Sequence, residues 1–253
     1  MGAALVSGLL AAGWARAEDL LVVEPVADRR AELAASYPGV GVAGELTGPA
    51  DGAVVAVKPG DVEAACTALG GTGTGRVLSI AAGVPLATLE AWLPAGTPVV
   101  RAMPNTPALI GAGAAAIAGG AAAGEEDLAW AEEILSAVGT VQRVGEGLLD
   151  AVTRLSGSGP AYVFLVAEAL IDAGVAVGLP RPASEALVVQ TLLGSARLLA
   201  ESGERAEALR AAVTSPGGTT AAGLGALEKR AVRAAFLEAV TAATERSREL
   251  GRG

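Results

Sequence analysis

The sequence has 253 residues, of which 52% are apolar, enough for one large or two modest domains with hydrophobic cores. Its formal net charge is −9, and because no basic cluster is present, neither nucleic acid nor an anionic membrane is an expected partner. The absence of histidine excludes imidazole bases, Ser–His triads and histidine metal sites, so no metal is expected. A single cysteine, Cys66, excludes an internal disulfide and suits a reducing cytoplasm.

The first segment, residues 3–12, is predicted to be a helix that ends at Gly13. Its apolar run ends in Ala15-Arg16-Ala17, which is superficially similar to a signal peptide with its cleavage site. No basic residue precedes the run, so we prefer the interpretation as a cytoplasmic helix. We also expect that no run in the chain reaches the length of a membrane span.

Apolar strands alternate with helices between residues 20 and 144. Strands are predicted at 20–23, 40–42, 53–57, 77–80, 99–101 and 141–144. Helices are predicted at 26–36, 61–69, 86–92 and 125–138, and Asp61 is expected to cap the second of them. Two Gly/Ala-rich loops are predicted at 70–75 and 111–124. This alternation predicts a mostly parallel sheet with helices on both faces. Ligands of such sheets bind outside the carboxyl ends of the strands, where segments 58–59, 81–83 and 103–107 fall.

The pattern becomes purely helical after Gly145, and we divide the chain into domains 1–146 and 147–253. Ser158 and Pro160 are predicted to begin a helix that runs to about residue 177, and Ser156–Gly159 is interpreted as its start. Further helices are predicted at 182–200 and 232–250. Residues 162–166 are apolar without a break, so this helix should be deeply buried. A domain of this size has little room for that, which favours an oligomer interface over the alternative of a monomeric helical bundle.

Segment 213–220, Val-Thr-Ser-Pro-Gly-Gly-Thr-Thr, separates two predicted helices, 206–213 and 221–228. The first turn of a helix has unpaired N–H groups and the positive end of the dipole, which attract anions. Two glycines let a ligand approach the backbone, and the hydroxyls of Ser215, Thr219 and Thr220 can add contacts. The segment therefore fits a small carboxylate or phosphate. The alternative is an ordinary Pro-Gly-Gly turn with a threonine cap.

The same segment, followed by 221–224 and 227–228, resembles the signature of the pyrroline-5-carboxylate reductase family. Motifs at 56–59, 79–83, 101–107 and 155–162 also match this family, in the same order. The resemblance implies an N-terminal Rossmann-like dinucleotide-binding domain and an all-α dimerisation domain. It implies NAD(P)H-dependent reduction of (S)-1-pyrroline-5-carboxylate to L-proline, with NADP as cofactor and NAD possible. It also implies a cytoplasmic homodimer or higher homo-oligomer that assembles through the C-terminal helices.

The resemblance also implies the residues of the substrate site. Backbone amides of Gly218, Thr219 and Thr220 would hold the substrate carboxylate, assisted by Ser215. The Thr220 hydroxyl would bond the ring nitrogen and is the candidate catalytic group. Glu146 matches another position of the family's substrate site, although alone it would be read as an isolated surface acid. A cyclic imine can take up a proton itself, so orientation matters more than a strong acid, which fits a chain without histidine.

The positions that match the family's cofactor site are Met1, Gly2, Glu24, Ala56, Val57, Lys58, Pro59, Ile80, Ala81, Ala82 and Asn105. Lys58 could reach a phosphate or be a solvated loop lysine, and Asn105 could line the nicotinamide side or stabilise a turn. Glu24 ends the strand from which an acid bonds the adenosine ribose, whereas Arg29 and Arg30 could contact a 2′-phosphate. The preference between NADPH and NADH therefore stays open.

The family's Gly-x-Gly-x-x-Gly fingerprint is represented only by its last glycine, Gly2. We therefore expect the natural protein to begin about ten residues earlier, with an apolar strand and a Gly-x-Gly turn. Two alternative functions stay open at this point. One is reduction of another imine or a β-hydroxy acid, and the other is a non-catalytic, oligomerising homologue with a defective cofactor site.

Overall fold

The computed structural model of the chain describes residues 1–46 and 48–250, and side chains in the last helix as far as Glu245. Its contacts divide the described chain into two compact units, Met1–Pro160 and Ala161–Leu250. The predicted domain boundary after Glu146 stays a prediction.

The first unit is an α/β structure in which short strands alternate with helices. Its described strands are β1 (Leu21–Val23), β2 (Gly41–Ala43), β3 (Ala53–Val55), β4 (Val77–Ser79), β5 (Val99–Met103), β6 (Gly113–Gly119) and β7 (Gly139–Arg143). Its described helices are α1 (Gly2–Ala11), α2 (Ala27–Ser36), α3 (Val62–Gly70), α4 (Leu86–Ala91), α5 (Glu125–Ser136) and α6 (Glu146–Val152). The strands and helices predicted between residues 3 and 144 are thus confirmed, with small shifts at their ends, whereas the loop predicted at 111–124 is not. Asp61 stands at the N-cap of α3, but its side chain makes no capping hydrogen bond, so its predicted capping role was wrong.

The strands form two separate sheets. β1 pairs with β2 in parallel, and β3 to β7 form a five-stranded sheet in sequence order. Its strand pairs are parallel except β5–β6, where Arg101 faces Ala118 in an antiparallel register. In the described part of the chain, β1 and β3 therefore each keep one edge without a strand partner. A doubly wound sheet normally places its first strand between these two positions.

Strand β6 corrects the sequence prediction, which assigned segment 111–124 to a loop. Alanine and glycine have low β propensity, and the segment contains little else. It nevertheless pairs with β5 on one side and β7 on the other, so tertiary contacts decide its conformation. Small side chains also fit beneath helices α5 and α6, which pack on this strand.

Two apolar clusters cover the two faces of the larger sheet. One joins the sheet to α3, α4 and α6 through residues such as Val62, Leu89 and Leu149. The other joins it to α1 and α5 through residues such as Leu5 and Ile134. Helices on both faces, as predicted, leave only the strand ends available for a ligand.

Helical backbone continues from Glu146 to Ala176, which overturns two sequence predictions. The helix was expected to begin at Ser158, but α6 passes through a π turn, Thr153–Gly157, into α7 (Gly159–Ala176). Gly157, Gly159 and Pro160 predicted a break in the helix at this point. In the structure, the Ser158 N–H donates to the Thr153 carbonyl over 2.9 Å, and the backbone stays helical. By length and composition this stretch could cross a membrane, so the expectation that no run reaches that length was also wrong.

The second unit is helical throughout its described residues. After α7 it contains α8 (Arg181–Glu201), α9 (Ala206–Ala212), α10 (Thr219–Lys229) and α11 (Val232–Leu250). Large apolar side chains stay exposed in the single chain, including Phe164 (62%), Leu165 (64%) and Leu237 (70%). The sequence predicted that the helix containing residues 162–166 is deeply buried, and within a single chain it is not.

Candidate active site

Helix α10 begins beside the glycines of segment 213–220, as the sequence predicted. Gly218 is its N-cap, and no side chain in the described part of the chain caps it, so the alternative of a threonine cap was wrong. The first intrahelical bond runs from the Ala222 N–H to the Gly218 carbonyl. The amides of Thr219 and Thr220 precede it, where a helix has no internal acceptor for them. Segment 213–220 therefore presents N–H groups and a helix dipole suited to an anion.

The turn before α10 requires glycine at residue 217. Gly217 has φ +70°, a left-handed conformation that glycine adopts without strain. A Cβ on Gly218 would collide with the Ser215 Oγ, which lies directly over this residue. The Ser215, Thr219 and Thr220 side chains are all exposed. Hydroxyl and amide donors are thus available together in one short segment.

Glu146 is in the first unit, and its carboxylate contacts two neighbouring elements. Its Oε1 accepts the Leu86 N–H over 2.6 Å and an N–H from Arg101 Nη1 over 2.9 Å. The Arg101 side chain is 10% exposed and that of Glu146 35%. Glu146 is therefore not an isolated surface acid.

Asn105 holds the loop that follows β5. Its Nδ2 donates to the Ser156 carbonyl over 3.0 Å, and its Oδ1 accepts the Ala114 N–H over 2.9 Å. These bonds give Asn105 the turn-stabilising role that the sequence left open. They also place the Met103–Pro107 loop against the π turn, where Met103 lies beside Gly157.

The predicted cofactor positions gather at the carboxyl ends of β3 and β4. Ala56, Val57, Lys58 and Pro59 are exposed after β3, and a Cβ on Gly2 would lie 3.3 Å from that of Ala56. The start of α1, with Met1 as its N-cap and no side-chain capping bond in the described structure, therefore lies beside the end of β3.

After β4, the side chains of Ile80 and Ala81 are buried, whereas Ala82 is exposed. The N–H groups of these two residues also have protein acceptors, the Val55 carbonyl over 3.1 Å for Ile80 and Ser79 Oγ over 3.4 Å for Ala81. Lys58, in contrast, has an exposed side chain at the end of β3.

Glu24 follows β1, and its Oε1 accepts the Val26 N–H over 3.0 Å. Arg30 donates to the Glu24 carbonyl oxygen over 2.9 Å, and Arg29 pairs with Glu32. Both arginines thus have protein partners, and Glu24, which is half-buried, lies at this strand end.

The sequence interpretation did not identify two buried arginines, Arg101 and Arg154, as residues of the candidate site region. Arg101 is a charged residue within an apolar strand, a signal that could have suggested a buried acidic partner. Arg154 lies in the π turn, and its Nε and Nη2 are buried without a hydrogen-bond partner in the described part of the chain. The described residues contain no cluster of acids and cysteines that could hold a metal ion.

Two family models match the chain. Residues 146–250 match pyrroline-5-carboxylate reductase dimerisation, and residues 1–83 match NADP oxidoreductase, coenzyme F420-dependent. Among curated proteins, the chain is 45% identical over 276 residues to a pyrroline-5-carboxylate reductase of Mycobacterium tuberculosis (strain ATCC 25618 / H37Rv), covering 99% of this chain and 93% of the relative. It is 44% identical over 256 residues to that of Synechocystis sp., covering 100% of this chain and 95% of the relative.

Solved structures show the same similarity. A pyrroline-5-carboxylate reductase from Coxiella burnetii matches with a TM-score of 0.91 and 36% identity, covering 98% of this chain and 93% of that one. The Plasmodium falciparum pyrroline carboxylate reductase with NADP bound matches with a TM-score of 0.82 and 31% identity, covering 99% and 94%. Both units of the described chain are therefore included in these similarities.

Proposed function

The chain belongs to the pyrroline-5-carboxylate reductase family, and we propose that segment 213–220 binds the substrate of its reaction. That reaction is the NAD(P)H-dependent reduction of (S)-1-pyrroline-5-carboxylate to L-proline, the final step of proline biosynthesis. The observation that carries the proposal is the uncapped start of α10, with Ser215 and Gly218 packed together beside it.

The substrate carboxylate binds the amides of Thr219 and Thr220 and the Ser215 hydroxyl. The Gly218 N–H, which the sequence also assigned to the carboxylate, instead donates to the Ser215 carbonyl over 3.1 Å and closes the turn. A helix N-terminus favours a carboxylate because its N–H groups and its dipole both act on the negative charge. The Thr220 hydroxyl then bonds the ring nitrogen. The protonated imine accepts hydride at C5, and the π electrons of the C=N bond pass to nitrogen as the product amine forms. This chain's residues orient the ring for that step and need supply no strong acid.

The cofactor supplies the hydride, and the residues of the first unit fit a dinucleotide. Glycine at residue 2 keeps the start of α1 free of a side chain next to Ala56, which suits a phosphate at a helix N-terminus. The exposed residues after β3, including Lys58, and the exposed Ala82 after β4 would line the same ligand. Glu24 would face the adenosine ribose.

We further propose that the chain works as a cytoplasmic homodimer or higher homo-oligomer through its helical unit. Phe164, Leu165 and Leu237 are exposed in one chain, and exposed apolar surface of this kind is typical of protein interfaces. The dimerisation model covers these residues. On this proposal the apolar stretch 146–176 contacts a second copy and does not cross a membrane.

Thr220→Ala tests the proposed substrate site. It removes one hydrogen bond to the reacting nitrogen, so turnover should fall by about tenfold to a hundredfold. Thr220→Ser, which keeps the hydroxyl, is the matched control and should keep most of the activity. NADPH affinity should be unchanged in both variants. Equal turnover for the wild-type and Thr220→Ala proteins would remove Thr220 from the mechanism.

A further inference from the structure

The Glu146 carboxylate joins three elements of the first unit. It belongs to the first turn of α6, accepts the N–H of Leu86 at the start of α4, and accepts an N–H of Arg101 in β5. Both bonds end on the same oxygen, Oε1. A shift of this one atom would therefore move two neighbouring elements at once.

The guanidinium that this carboxylate contacts is largely shielded from solvent. Arg101 is nine-tenths buried, and its contact with Glu146 is a charge-assisted hydrogen bond of 2.9 Å. Removing the acid would leave a buried guanidinium without its partner, which is far costlier than losing a surface ion pair. The contact is therefore held firmly while the chain stays folded.

The elements that Glu146 joins are directly connected to the two loops that follow β4 and β5, which contain the predicted cofactor residues Ile80, Ala81, Ala82 and Asn105. The loop after β4, residues 80–85, leads directly to Leu86, and the Met103–Pro107 loop begins two residues after Arg101. Asn105 provides a second connection, because it donates to the Ser156 carbonyl in the π turn. Segment 146–157 is thus bonded to the Met103–Pro107 loop through Asn105, and to Leu86, the residue that directly follows the loop after β4.

We propose that Glu146 is a positioning residue that acts on the cofactor through Leu86 and Arg101. It fixes the spacing between the loop after β4 and the loop after β5, and this spacing sets the fit of the dinucleotide. The proposal rests on the proposed function for the identity of the cofactor. It assigns Glu146 a role in cofactor affinity that is distinct from direct contact with the substrate.

The experiment compares three purified full-length variants by NADPH titration and by steady-state kinetics. Glu146→Ala should raise the Kd for NADPH by about tenfold, comparable to losing one charge-assisted hydrogen bond, and should lower kcat. The KM for pyrroline-5-carboxylate should change less than the Kd. Glu146→Gln keeps an acceptor oxygen for both donors but not the negative charge, and should recover part of the lost affinity. Glu63→Ala, which removes an exposed acid from the first turn of α3, is the matched control and should bind NADPH as the wild type does.

The result that overturns the proposal is a Glu146→Ala protein with wild-type NADPH affinity and a raised KM for pyrroline-5-carboxylate. That outcome would make Glu146 a substrate ligand. If Glu146→Ala fails to fold, Arg101→Lys provides the same test, because the shorter, unforked cation weakens the contact and should also raise the Kd. The Kd comparison does not depend on turnover. A wild-type protein that binds NADPH but does not reduce pyrroline-5-carboxylate would refute the proposed function while leaving this comparison intact.

Discussion

Arg154 is expected to cost the protein stability, so its replacement by an apolar side chain should be stabilising. The side chain is 6% exposed, and Nε and Nη2 have no hydrogen-bond partner among the described residues. Asp150 Oδ2 lies 3.5 Å from Nη2, but the Asp150 side chain is 53% exposed. A half-exposed pair contributes about 0–1 kcal/mol, whereas each unmade buried hydrogen bond costs about 1–3 kcal/mol. Arg154→Met keeps much of the volume and should gain about 2 kcal/mol.

The assay is thermal unfolding followed by circular dichroism at several protein concentrations, because assembly makes Tm depend on concentration. A gain of about 2 kcal/mol corresponds to a rise in Tm of about 4–8 °C for a chain of this size. Arg154→Lys keeps a buried charge and should show no such rise. Asp150→Asn should change stability by less than about 1 kcal/mol. A Tm of Arg154→Met several degrees below the wild-type value would refute the reasoning, since the guanidinium would then have a stabilising partner.

Cofactor preference, cysteine chemistry and the glycine turn give three further expected outcomes. Glu24→Ser removes a charge that repels a 2′-phosphate, so the ratio of kcat/KM for NADPH over NADH should rise by about tenfold; a fall would mean that Glu24 does not face the ribose. Burial raises the pKa of the Cys66 thiol, so the folded protein holds it protonated while the unfolded chain ionises near pH ~8.5. Stability should therefore fall as the pH rises above that value, and a thiol reagent should react only as fast as the chain unfolds; rapid reaction in the folded state would contradict this. Gly218→Ala places a methyl group against Ser215 Oγ and should raise the KM for pyrroline-5-carboxylate while NADPH affinity stays constant; an unchanged KM would place the substrate elsewhere.

Most of the α/β pattern could be predicted because the predicted strands at 20–23, 53–57, 77–80 and 99–101 contain consecutive apolar residues. β6 could not, since Gly113–Gly119 consists almost entirely of alanine and glycine and becomes a strand only between β5 and β7. The π turn was missed for the opposite reason. Its glycines and Pro160 predict a break by local chemistry, whereas the helical backbone continues through them.

The candidate site also has parts that the local sequence could predict and parts that it could not. Segment 213–220 could be predicted because its helix boundary, glycines and hydroxyls lie next to one another in the sequence. The partners of Glu146 could not, because Leu86 and Arg101 are 60 and 45 residues away along the chain. The sheet and the helices that pack on it bring them together, and no local pattern records that contact.

The central claim is that this chain reduces pyrroline-5-carboxylate with a nicotinamide cofactor by means of segment 213–220. It is tested most directly by following NADPH oxidation and L-proline formation together, for the wild-type chain and for Thr220→Ala. We predict that NADPH is oxidised only when pyrroline-5-carboxylate is present, that L-proline forms in equal amount, and that Thr220→Ala slows both by at least about tenfold. A wild-type chain that binds NADPH without oxidising it in the presence of pyrroline-5-carboxylate would contradict the claim.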